Sequence, residues 1–415
     1  MAQLSDDCFA FGGPLMSVDE VRALLAERVS AVAAAASVPL RDADGRVLAA
    51  PVRAPIDLPP FDNAAVDGYA VRASSLAADA TTTLPVTGRI AAGAAGPADM
   101  GGAVRIFTGA PMPAGFDTVF MQEDVVLEGG AVVLPAGLRP GANRRLAGED
   151  LRRGGVALEA GRRLTPRDIA LLAALGQREV AVRAPLRAAV FSTGDEIVSP
   201  GEPLPPAGLY DANRYMLLAA LRRLGCAVTD LGILPDRRDA VAGALEEAAA
   251  AHDLLITSGG VSTGEEDHVK AAVESAGALT FWRVAIKPGR PVALGVVRGT
   301  AFIGLPGNPV AVYVTFAQVA RPLVARLSGE AYAPPIPLPV EADFAYRKKE
   351  GRREYVRVRI RREADGRVLA RKHPREGAGV ITSLTETDGL VELPEAATRV
   401  EPGATVGFLP YASLA

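Results

Sequence analysis

The chain has 415 residues, of which 49% are hydrophobic, 22% are charged and 5% are aromatic, and its formal net charge at pH 7 is −3. So small a net charge excludes a bulk electrostatic attraction to nucleic acid or to a membrane surface, and the scarcity of aromatic residues disfavours a base-stacking platform. A chain of this length is too long for one compact core, so we expect three or four domains.

The N-terminal residues lack the basic and apolar regions of a signal peptide, and no run approaches the length of a membrane span. The two cysteines, Cys8 and Cys226, are far apart and form no CxxC pattern, which disfavours a disulfide framework or a zinc site. We therefore predict a cytoplasmic protein that has no membrane or nucleic-acid partner.

The first predicted element is a long helix. Ser17 to Glu20 form a capping box, and the helix that follows is expected to reach about Ala35. Arg46 to Ala50 is strand-like, and the proline-rich stretch from Ala54 to Pro60 marks the start of a new region.

A small all-β insert is predicted next, because glycine is dense and helical periodicity is absent. Its strands include Leu84 to Val86, Val104 to Phe107 and Thr118 to Met121. Asp67, before Gly68, and Thr108, directly after a strand, stand out as polar residues at chain reversals. Taken alone, both patterns favour ordinary turn chemistry over a functional site.

After the insert, Thr165 to Asp168 is a strong helix start, and that helix is expected to end near Gly176. From about Leu186 strands and helices alternate, which predicts a doubly wound parallel sheet. Its expected strands are Ala188 to Phe191, Val228 to Leu231, Leu254 to Thr257, Thr280 to Ala285, Pro291 to Leu294 and Ala301 to Gly304, and its expected helices are Ala212 to Leu224, Asp239 to Ala251, His268 to Ser275 and a long one from Pro309 to about Leu327.

A stiff linker from Ala333 to Pro339 leads to another all-β domain, in which Tyr355 to Ile360 alternates strictly and Asp365-Gly366 makes a hairpin turn. The predicted fold is therefore multidomain α/β plus all-β. Its four parts are a discontinuous N-terminal domain of residues 15–60 and 149–185, the β insert 61–148, the α/β domain 186–329 and a C-terminal β-barrel-like domain 335–415.

The loops after the central strands carry the chemistry that the residues by themselves indicate. In doubly wound sheets ligands bind beyond the carboxyl ends of the strands, and glycine-rich loops let N–H groups approach an anion. Carboxylates beside such loops suit a divalent cation that bridges them to a phosphate, although acids in the first turn of a helix are also favoured by its dipole alone. The candidate side chains at this edge are Asp195, Glu196, Asp236, Glu265, Glu266, Asp267 and Lys287, with His268 as the one histidine worth testing.

Lysine is rare in this arginine-rich chain, which contains only Lys270, Lys287, Lys348, Lys349 and Lys372. A retained lysine can indicate a need for a compact point charge. We assign such a role to Lys287 alone and attribute the other four to chance. The chain has neither a Walker A sequence nor a GxGxxG fingerprint, so the residues do not identify the substrate.

Seven motifs occur in the order PFDNAAVDGYA, RIFTGA, STGDE, LYDANRYML, SGGVSTGEEDH, IKPGRP and GLPGNPV. As a set they resemble the molybdopterin molybdenumtransferase family, which includes the MoeA proteins and the gephyrin E domain. The resemblance runs from about Ser17 to the C-terminus. It implies a MogA-like, molybdopterin-binding central domain and an elongated homodimer.

The resemblance also implies the reaction. Family members insert molybdenum from molybdate into adenylylated molybdopterin and split the pyrophosphate to release AMP with Mg²⁺. Their site lies between the α/β domain of one subunit and the β insert of the other, which replaces the turn interpretation of Asp67 and Thr108 by a functional one. The residues that match family positions supporting activity are Asp67, Thr108, Glu196, Asp236, Asp267 and Lys287.

Further site residues follow from the same motifs. We expect Mg²⁺ at Glu196, Asp236 and Asp267, and molybdate at Lys287, Arg290, Arg352 and Ser383. The expected substrate-binding positions are Asp150, Thr193, Gly194, Asp195, Ser258, Gly259, Gly260, Ser262, Gly264, Pro306, Gly307, Asn308 and Pro309. A transient contact with the upstream adenylyltransferase is also expected.

The chain departs from the family pattern at a few positions. Val66 stands where methionine is usual, Arg290 where lysine is frequent, and Ala311 where serine is usual. The loss of the Ala311 hydroxyl leaves the molybdate affinity and the metal preference open.

Two alternatives are open at this point. The same α/β module occurs in molybdopterin adenylyltransferases, so the chain could catalyse the adenylylation step. A non-catalytic dimeric scaffold is the other, although the retention of every proposed carboxylate argues against it.

Overall fold

The computed structural model describes residues 4–5, 8–9, 15–94, 100–260, 268–289 and 291–414. The predictions for Ser262, Gly264, Glu265, Glu266, Asp267 and Arg290 lie outside these residues.

The chain opens with helix α1 (Val18–Arg28), followed by strands β1 (Ala35–Pro39) and β2 (Val52–Arg53) and a short 3-10 helix (Leu40–Asp42). The predicted capping box is confirmed, since Ser17 and Glu20 exchange main-chain and side-chain hydrogen bonds. The helix is shorter than expected, because the main chain at Val32 and Ala33 is bonded instead to the carbonyl of Leu327. The predicted strand at Arg46 to Ala50 reduces to isolated bridges at Val47 and Leu48.

The β insert contains one six-stranded sheet in the order β7-β4-β6-β5-β9-β8. Gly68 is the first residue of β4 rather than part of a turn, and a Cβ there would lie 1.8 Å from the carbonyl oxygen of Phe120 on β7. Close strand packing, not turn geometry, therefore requires this glycine. The strands of this region are β3 (Asn63–Ala64), β4 (Gly68–Val71), β5 (Thr82–Ile90), β6 (Ala103–Ile106), β7 (Thr118–Met121), β8 (Val126–Glu128), β9 (Ala131–Leu134) and β10 (Arg144–Arg145), with 3-10 helices at Ala73–Ser75 and Gln122–Asp124.

The chain then returns to the N-terminal region through β11 (Val156–Leu158), α2 (Pro166–Ala174) and β12 (Glu179–Arg183). Strand β11 pairs with β2, and β12 pairs with β1, so two stretches separated by the insert form one structural unit. The expected helix start at Thr165 and the end near Gly176, which has φ of 74°, agree with the structure.

The central region carries the alternating elements. They are β13 (Arg187–Thr193), β14 (Ile197–Val198), β15 (Leu209–Tyr210), α3 (Ala212–Arg223), β16 (Ala227–Leu234), α4 (Arg238–Ala251), β17 (Leu254–Ser258), α5 (His268–Ala276), β18 (Gly277–Arg283), β19 (Ile286–Lys287), β20 (Pro291–Val297), β21 (Thr300–Leu305), α6 (Pro309–Thr315) and α7 (Arg321–Leu327), with a π-helical segment at Phe316–Ala320 between the last two.

The central sheet has the order β16-β13-β17-β21-β20-β18. Its first four strands are parallel, as predicted, but β20 and β18 run antiparallel to their neighbours. The reason is a tight turn at Arg298 and Gly299, both at positive φ, which joins β20 to β21 as a hairpin. Two buried clusters cover the two faces of the sheet. One includes residues of α3, α6 and α7, and the other includes residues of α4 and α5.

The helical stretch Pro309–Leu327 contradicts the expectation that no run approaches the length of a membrane span. Its length of 19 residues and mean hydropathy of 1.2 are comparable to those of a membrane span. However, 83% of this window is buried inside the structure, where Val312, Val319 and Leu323 are part of the hydrophobic core. A criterion based on length and hydropathy therefore selects this helix, although it belongs to the core of the protein.

The C-terminal region forms a barrel, because β24 pairs with β26 as well as β25 and so closes the order β24-β25-β22-β28-β26. Residues 354–358 are all buried, not alternately exposed. Val356 and Val358 face the barrel core, whereas Tyr355 joins the core of the central region. The elements are β22 (Leu338–Ala342), β23 (Tyr346–Arg347), β24 (Arg353–Arg362), β25 (Val368–Lys372), α8 (Thr382–Thr385), β26 (Gly389–Leu393), β27 (Arg399–Val400), β28 (Thr405–Pro410) and α9 (Tyr411–Leu414).

Candidate active site

Four parallel strands of the central sheet end at one edge. Strand β16 leads to Asp236, β13 to Glu196, β17 to Gly259 and β21 to Gly307. Because the strands are adjacent and parallel, their carboxyl ends bring these loops together, as expected for a doubly wound sheet. Pro309 then begins the long helix, so the N-terminus of that helix faces the same edge.

The glycine-rich loops pack against each other. A methyl group added at Gly307 would lie 3.7 Å from the Cα atom of Gly259, and one added at Gly260 would lie 2.8 Å from Oγ1 of Thr193. Gly259 and Gly260 both have positive φ, of 79° and 63°. Gly259 and Gly260 therefore need glycine for their conformation, and Gly260 needs it for close approach as well. At Gly307 a methyl group would make only an ordinary contact.

Asn213, which the sequence analysis did not single out, supports the last of these loops. Its side-chain amide donates to the carbonyl oxygen of Gly307 at 2.6 Å. Its Oδ1 atom is buried and has no hydrogen-bond partner among the described residues. The residue lies in the first turn of α3, so the helix fixes the position of the loop.

The predicted acids at the edge are accessible to solvent. Asp195 and Glu196 are exposed and Asp236 is half-buried. The Glu196 carboxylate lies over Gly194, where an added Cβ would be 2.6 Å from Oε2. Within the ranges that the structure describes, no three histidine, cysteine or acidic side chains lie close enough to hold a metal ion. Glu196 and Asp236 alone thus do not complete a Mg²⁺ site, and Asp267, the third predicted ligand, lies outside the described residues.

A cavity of about 530 Å³ opens between the central sheet and the C-terminal barrel. Of the predicted site residues, Gly259, Gly260, Lys287, Pro306, Gly307 and Asn308 line it. Thr193 and Ser258 are buried at the ends of their strands behind these loops. The barrel contributes residues that the sequence analysis did not assign to a site, and these are Tyr346, Glu354, Arg357, Lys372, His373 and Glu376.

Lys287 is held by a buried carboxylate. Its Nζ atom donates to Oε2 of Glu354 at 3.1 Å and to the hydroxyl of Tyr346 at 3.0 Å. Burial lowers the pKa of Lys287, but the bonds to Tyr346 and Glu354 outweigh it and raise that pKa above its ordinary value. Lys287 is therefore a cation at neutral pH. Arg352 also contacts Glu354, with Nε 2.7 Å from Oε1.

Arg357 is a buried cation that forms no ion pair with a described carboxylate, although Glu376 in the same cavity attracts it through space. Only 5% of the residue is exposed, and its Nη2 atom donates to the main-chain oxygen of Arg375 at 3.0 Å. Its Nε atom is buried and has no partner in the described part of the chain, and burial lowers the pKa of its guanidinium group. An uncompensated charge in the interior costs several kcal/mol. Because Arg357 lines the cavity, an anionic ligand there would offset this cost.

Two of the predicted molybdate contacts are placed differently. Arg352 lines an adjacent cavity of about 370 Å³ that shares Lys287 and Gly289 with the first. Ser383 is fully buried, and its hydroxyl donates to the carbonyl of Val380 at 2.5 Å. The structure therefore brings Lys287 together with Arg357 and Lys372 at the larger cavity, with Arg352 beside it, and leaves Ser383 apart.

Asp67 and Thr108 lie together in the β insert, and neither lines the cavity. The Asp67 carboxylate accepts hydrogen bonds from the main-chain N–H of Thr108 at 2.8 Å and from its hydroxyl at 2.7 Å. Asp150 lies at the junction of the insert with the N-terminal region, where its N–H donates to the carbonyl of Leu58. Within one chain these three residues are thus separate from the cavity.

We expect the Asp67–Thr108 contact to stabilise the protein only while Asp67 is ionised. The main-chain bond from Thr108, followed by the bond from its hydroxyl, holds the pKa of Asp67 below its ordinary value. A depressed pKa contributes stability above the unfolded-state value of about 4 and loses it as the pH falls through the folded-state value. The difference in melting temperature between wild type and Asp67→Asn should therefore be present at pH 7 and vanish at low pH.

Thr108→Val is the matched comparison, since it keeps the main-chain donor and removes only the hydroxyl. Its melting temperature should lie between those of the other two proteins at pH 7. A difference between wild type and Asp67→Asn that is the same at pH 7 and at low pH would contradict this account.

Comparisons with known proteins agree with this architecture. Residues 16–176 match the MoeA N-terminal region (domains I and II), residues 189–326 match a probable molybdopterin binding domain, and residues 339–411 match the MoeA C-terminal region (domain IV). A molybdopterin molybdenumtransferase of Haemophilus influenzae is 38% identical over 401 residues, which cover 96% of this chain and 99% of the relative.

The chain belongs to the MoeA family. A molybdopterin molybdenumtransferase of Synechococcus elongatus is 35% identical and covers 93% of this chain and 97% of its own length. The crystal structure of a molybdopterin biosynthesis MoeA protein from Pyrococcus horikoshii OT3 superposes with a TM-score of 0.80 at 29% identity, covering 96% of this chain and 100% of that one. The predicted family and fold class are thereby confirmed, and this family member is a transferase enzyme.

Proposed function

We propose that this MoeA family member transfers molybdenum from molybdate into adenylylated molybdopterin and releases AMP, as a step of molybdenum cofactor biosynthesis. The observation that carries the proposal is Arg357, a buried cation whose Nε atom has no hydrogen-bond partner among the described residues. It shares the cavity with Lys287 and with the glycine-rich loops Gly259–Gly260 and Gly307. A site for a small oxyanion beside an anion-binding main chain fits these two substrates.

The roles of the residues follow from their chemistry. The N–H groups of the glycine loops and the N-terminus of the helix that begins at Pro309 would bind the phosphate end of the pterin. The cations Lys287, Arg357 and Lys372 would bind molybdate, a tetrahedral dianion. Lys372 is paired with Glu376, so the bound dianion would compete with that carboxylate for the lysine.

Mg²⁺ is the proposed cofactor, with Glu196, Asp236 and Asp267 as proposed ligands. Carboxylate oxygens are the ligands that Mg²⁺ prefers, and a bound ion would neutralise charge on the pyrophosphate. The protein is proposed to act in the cytoplasm as a homodimer, in which Asp67 and Thr108 of one subunit approach the sheet edge of the other. A transient contact with the upstream adenylyltransferase would deliver the pterin.

A direct assay separates the transferase from the adenylyltransferase alternative. The purified protein is incubated with adenylylated molybdopterin, molybdate and Mg²⁺, and AMP is measured by chromatography. AMP should appear only when molybdate is present, and a chelator should prevent its release. The formation of adenylylated product from ATP and free molybdopterin, without AMP release in the first reaction, would overturn the proposal.

A mixed dimer tests whether two subunits share one site. We suppose that Asp67 and the partner's Glu196 belong to one active site. A dimer with Asp67→Asn on one chain and Glu196→Gln on the other then keeps one intact site. It should retain about half of the wild-type activity. Both homodimeric variants should be nearly inactive. Tandem affinity tags isolate the mixed species. If its activity does not exceed that of the more active homodimeric variant, the site is not shared in this way.

A further inference from the structure

Tyr346 lies at the centre of the charged network in the cavity. Its hydroxyl accepts a hydrogen bond from Lys287 at 3.0 Å and donates one to Oε2 of Glu354 at 2.8 Å. The centroid of its ring lies 5.4 Å from Nζ of Lys372, and Nζ of Lys287 lies 5.5 Å from the same centroid at the hydroxyl end of the ring. Tyr346 therefore contacts both lysines that line the cavity.

The donors and acceptors of this network can be counted. Glu354 is 1% exposed, and its two oxygens accept from Arg352, Lys287 and Tyr346. An ammonium group has three donors. Two of those on Lys287 go to Tyr346 and Glu354, and the third has no partner among the described residues. Two fixed acceptors thus leave one N–H of Lys287 for a ligand.

We propose that Tyr346 is a positioning residue, whose hydroxyl, together with Glu354, holds the ammonium group of Lys287 so that its remaining N–H is available to an oxyanion in the cavity. This rests on the proposed function for the identity of that oxyanion, molybdate. The parallel pairing of β19 with β24 sets Lys287 opposite Glu354, but the main chain cannot fix the end of so long a side chain. The rigid ring of Tyr346 on β23 places a hydroxyl that fixes the ammonium group.

The other charged groups around Lys287 do not substitute for Tyr346. Strand β24 contributes Arg357, β25 contributes Lys372, and the adjoining loops contribute Lys349, Glu350, Arg352 and Glu376. Lys372 contacts Glu376 and Arg352 contacts Glu354, and the four cations among these groups carry the same charge as Lys287. Burial lowers the pKa of Lys287, and the hydrogen bond that it donates to Tyr346 is the largest contribution that raises it.

The test uses Tyr346→Phe, which removes the hydroxyl and keeps the aromatic ring. The chain has five lysines, so ¹³C-lysine labelling gives five Cε signals. The signal that is missing in Lys287→Met belongs to Lys287. In Tyr346→Phe the Lys287 signal should titrate at lower pH than in wild type. The dissociation constant for inorganic molybdate, measured by calorimetry, should increase roughly tenfold, as for the loss of a hydrogen bond that involves a charged group.

Tyr411→Phe is the matched control. It removes a tyrosine hydroxyl that contacts Thr387 at 2.8 Å outside the cavity, and it should change neither measurement. The four other lysine signals and the melting temperature show whether each variant folds as wild type does. If Lys287 titrates in Tyr346→Phe at the same pH as in wild type, or if the affinity for molybdate is unchanged, Tyr346 does not position the lysine for the anion.

Failure of the proposed function has a different signature. In that case wild type itself does not bind molybdate, and the titration of Lys287 alone decides the role of Tyr346. A shift to lower pH in Tyr346→Phe would then support positioning of the lysine, and an unshifted titration would overturn it.

Discussion

Lys287→Met is expected to lower the rate of molybdenum insertion by about 100-fold, the usual cost of removing one donor that is preorganised towards the negative charge of the transition state. Methionine keeps most of the volume of the lysine stem but cannot donate to an oxyanion. The carboxylate of Glu354 keeps its bonds from Tyr346 and Arg352, so the loss of stability should be small. The measurement is AMP release at saturating adenylylated molybdopterin, with the melting temperature recorded in parallel.

Arg298→Met is the control for this prediction. Arg298 lies in the hairpin at the opposite edge of the same sheet, where it pairs with Glu246 and is 62% exposed. Its loss should leave AMP release at the wild-type rate. A Lys287→Met protein that retains more than about a tenth of the wild-type rate would show that the lysine does not stabilise the transition state.

Arg214→Met is expected to cause the largest loss of stability. The Arg214 side chain is 4% exposed, and it contacts Asp211, which is 3% exposed, at 2.8 Å and Asp230 at 2.6 Å. Removing the cation leaves a carboxylate buried without its partner, which costs about 3 kcal/mol or more. For a domain about as large as the central α/β region, a loss of this size should lower the melting temperature by roughly 6–12 °C. Differential scanning fluorimetry measures the change.

Arg367→Met offers a matched comparison, because Arg367 also contacts two carboxylates, those of Asp365 and Glu341, but is 54% exposed. Its melting temperature should stay within about 2 °C of wild type, as for other exposed ion pairs. Adding Asp211→Asn to Arg214→Met should recover part of the loss. An equal effect of Arg214→Met and Arg367→Met would mean that burial does not strengthen the dependence on the first pair.

The glycine-rich edge of the central sheet could be predicted because its signals are local. Each loop follows a buried strand directly, and parallel neighbours must end at the same edge. Gly259, Gly260 and Gly307 therefore lie at the expected edge, and the structure adds the positive φ of the first two and the close contact that excludes a side chain at Gly260. The antiparallel direction of β20 also had a local signal, the Arg298-Gly299 turn. The alternation of strands and helices alone did not reveal that direction.

The cationic side of the cavity could not be predicted in the same way. Tyr346, Arg357 and Lys372 lie in strands of the C-terminal region and carry no motif, and Lys372 is attributed to chance on sequence alone. Arg357 belongs to a strand whose alternation predicts an exposed polar face. Tyr355 and Arg357 on that face are nevertheless buried, and Tyr355 packs into the core of the central region, a contact with no local signature in β24.

The sequence by itself determined the order of the elements, the family of the chain and the glycine loops at one sheet edge, since capping, strand alternation and loop chemistry act over a few residues. The tertiary structure alone decided which cations meet those loops. Lys287 and Glu354 are 67 residues apart, and only the docking of the barrel makes them partners. Burial then gives Arg357 a need for a counter-charge that an exposed strand residue does not have, because an ion that is excluded from water must find that charge within the fold or in a ligand.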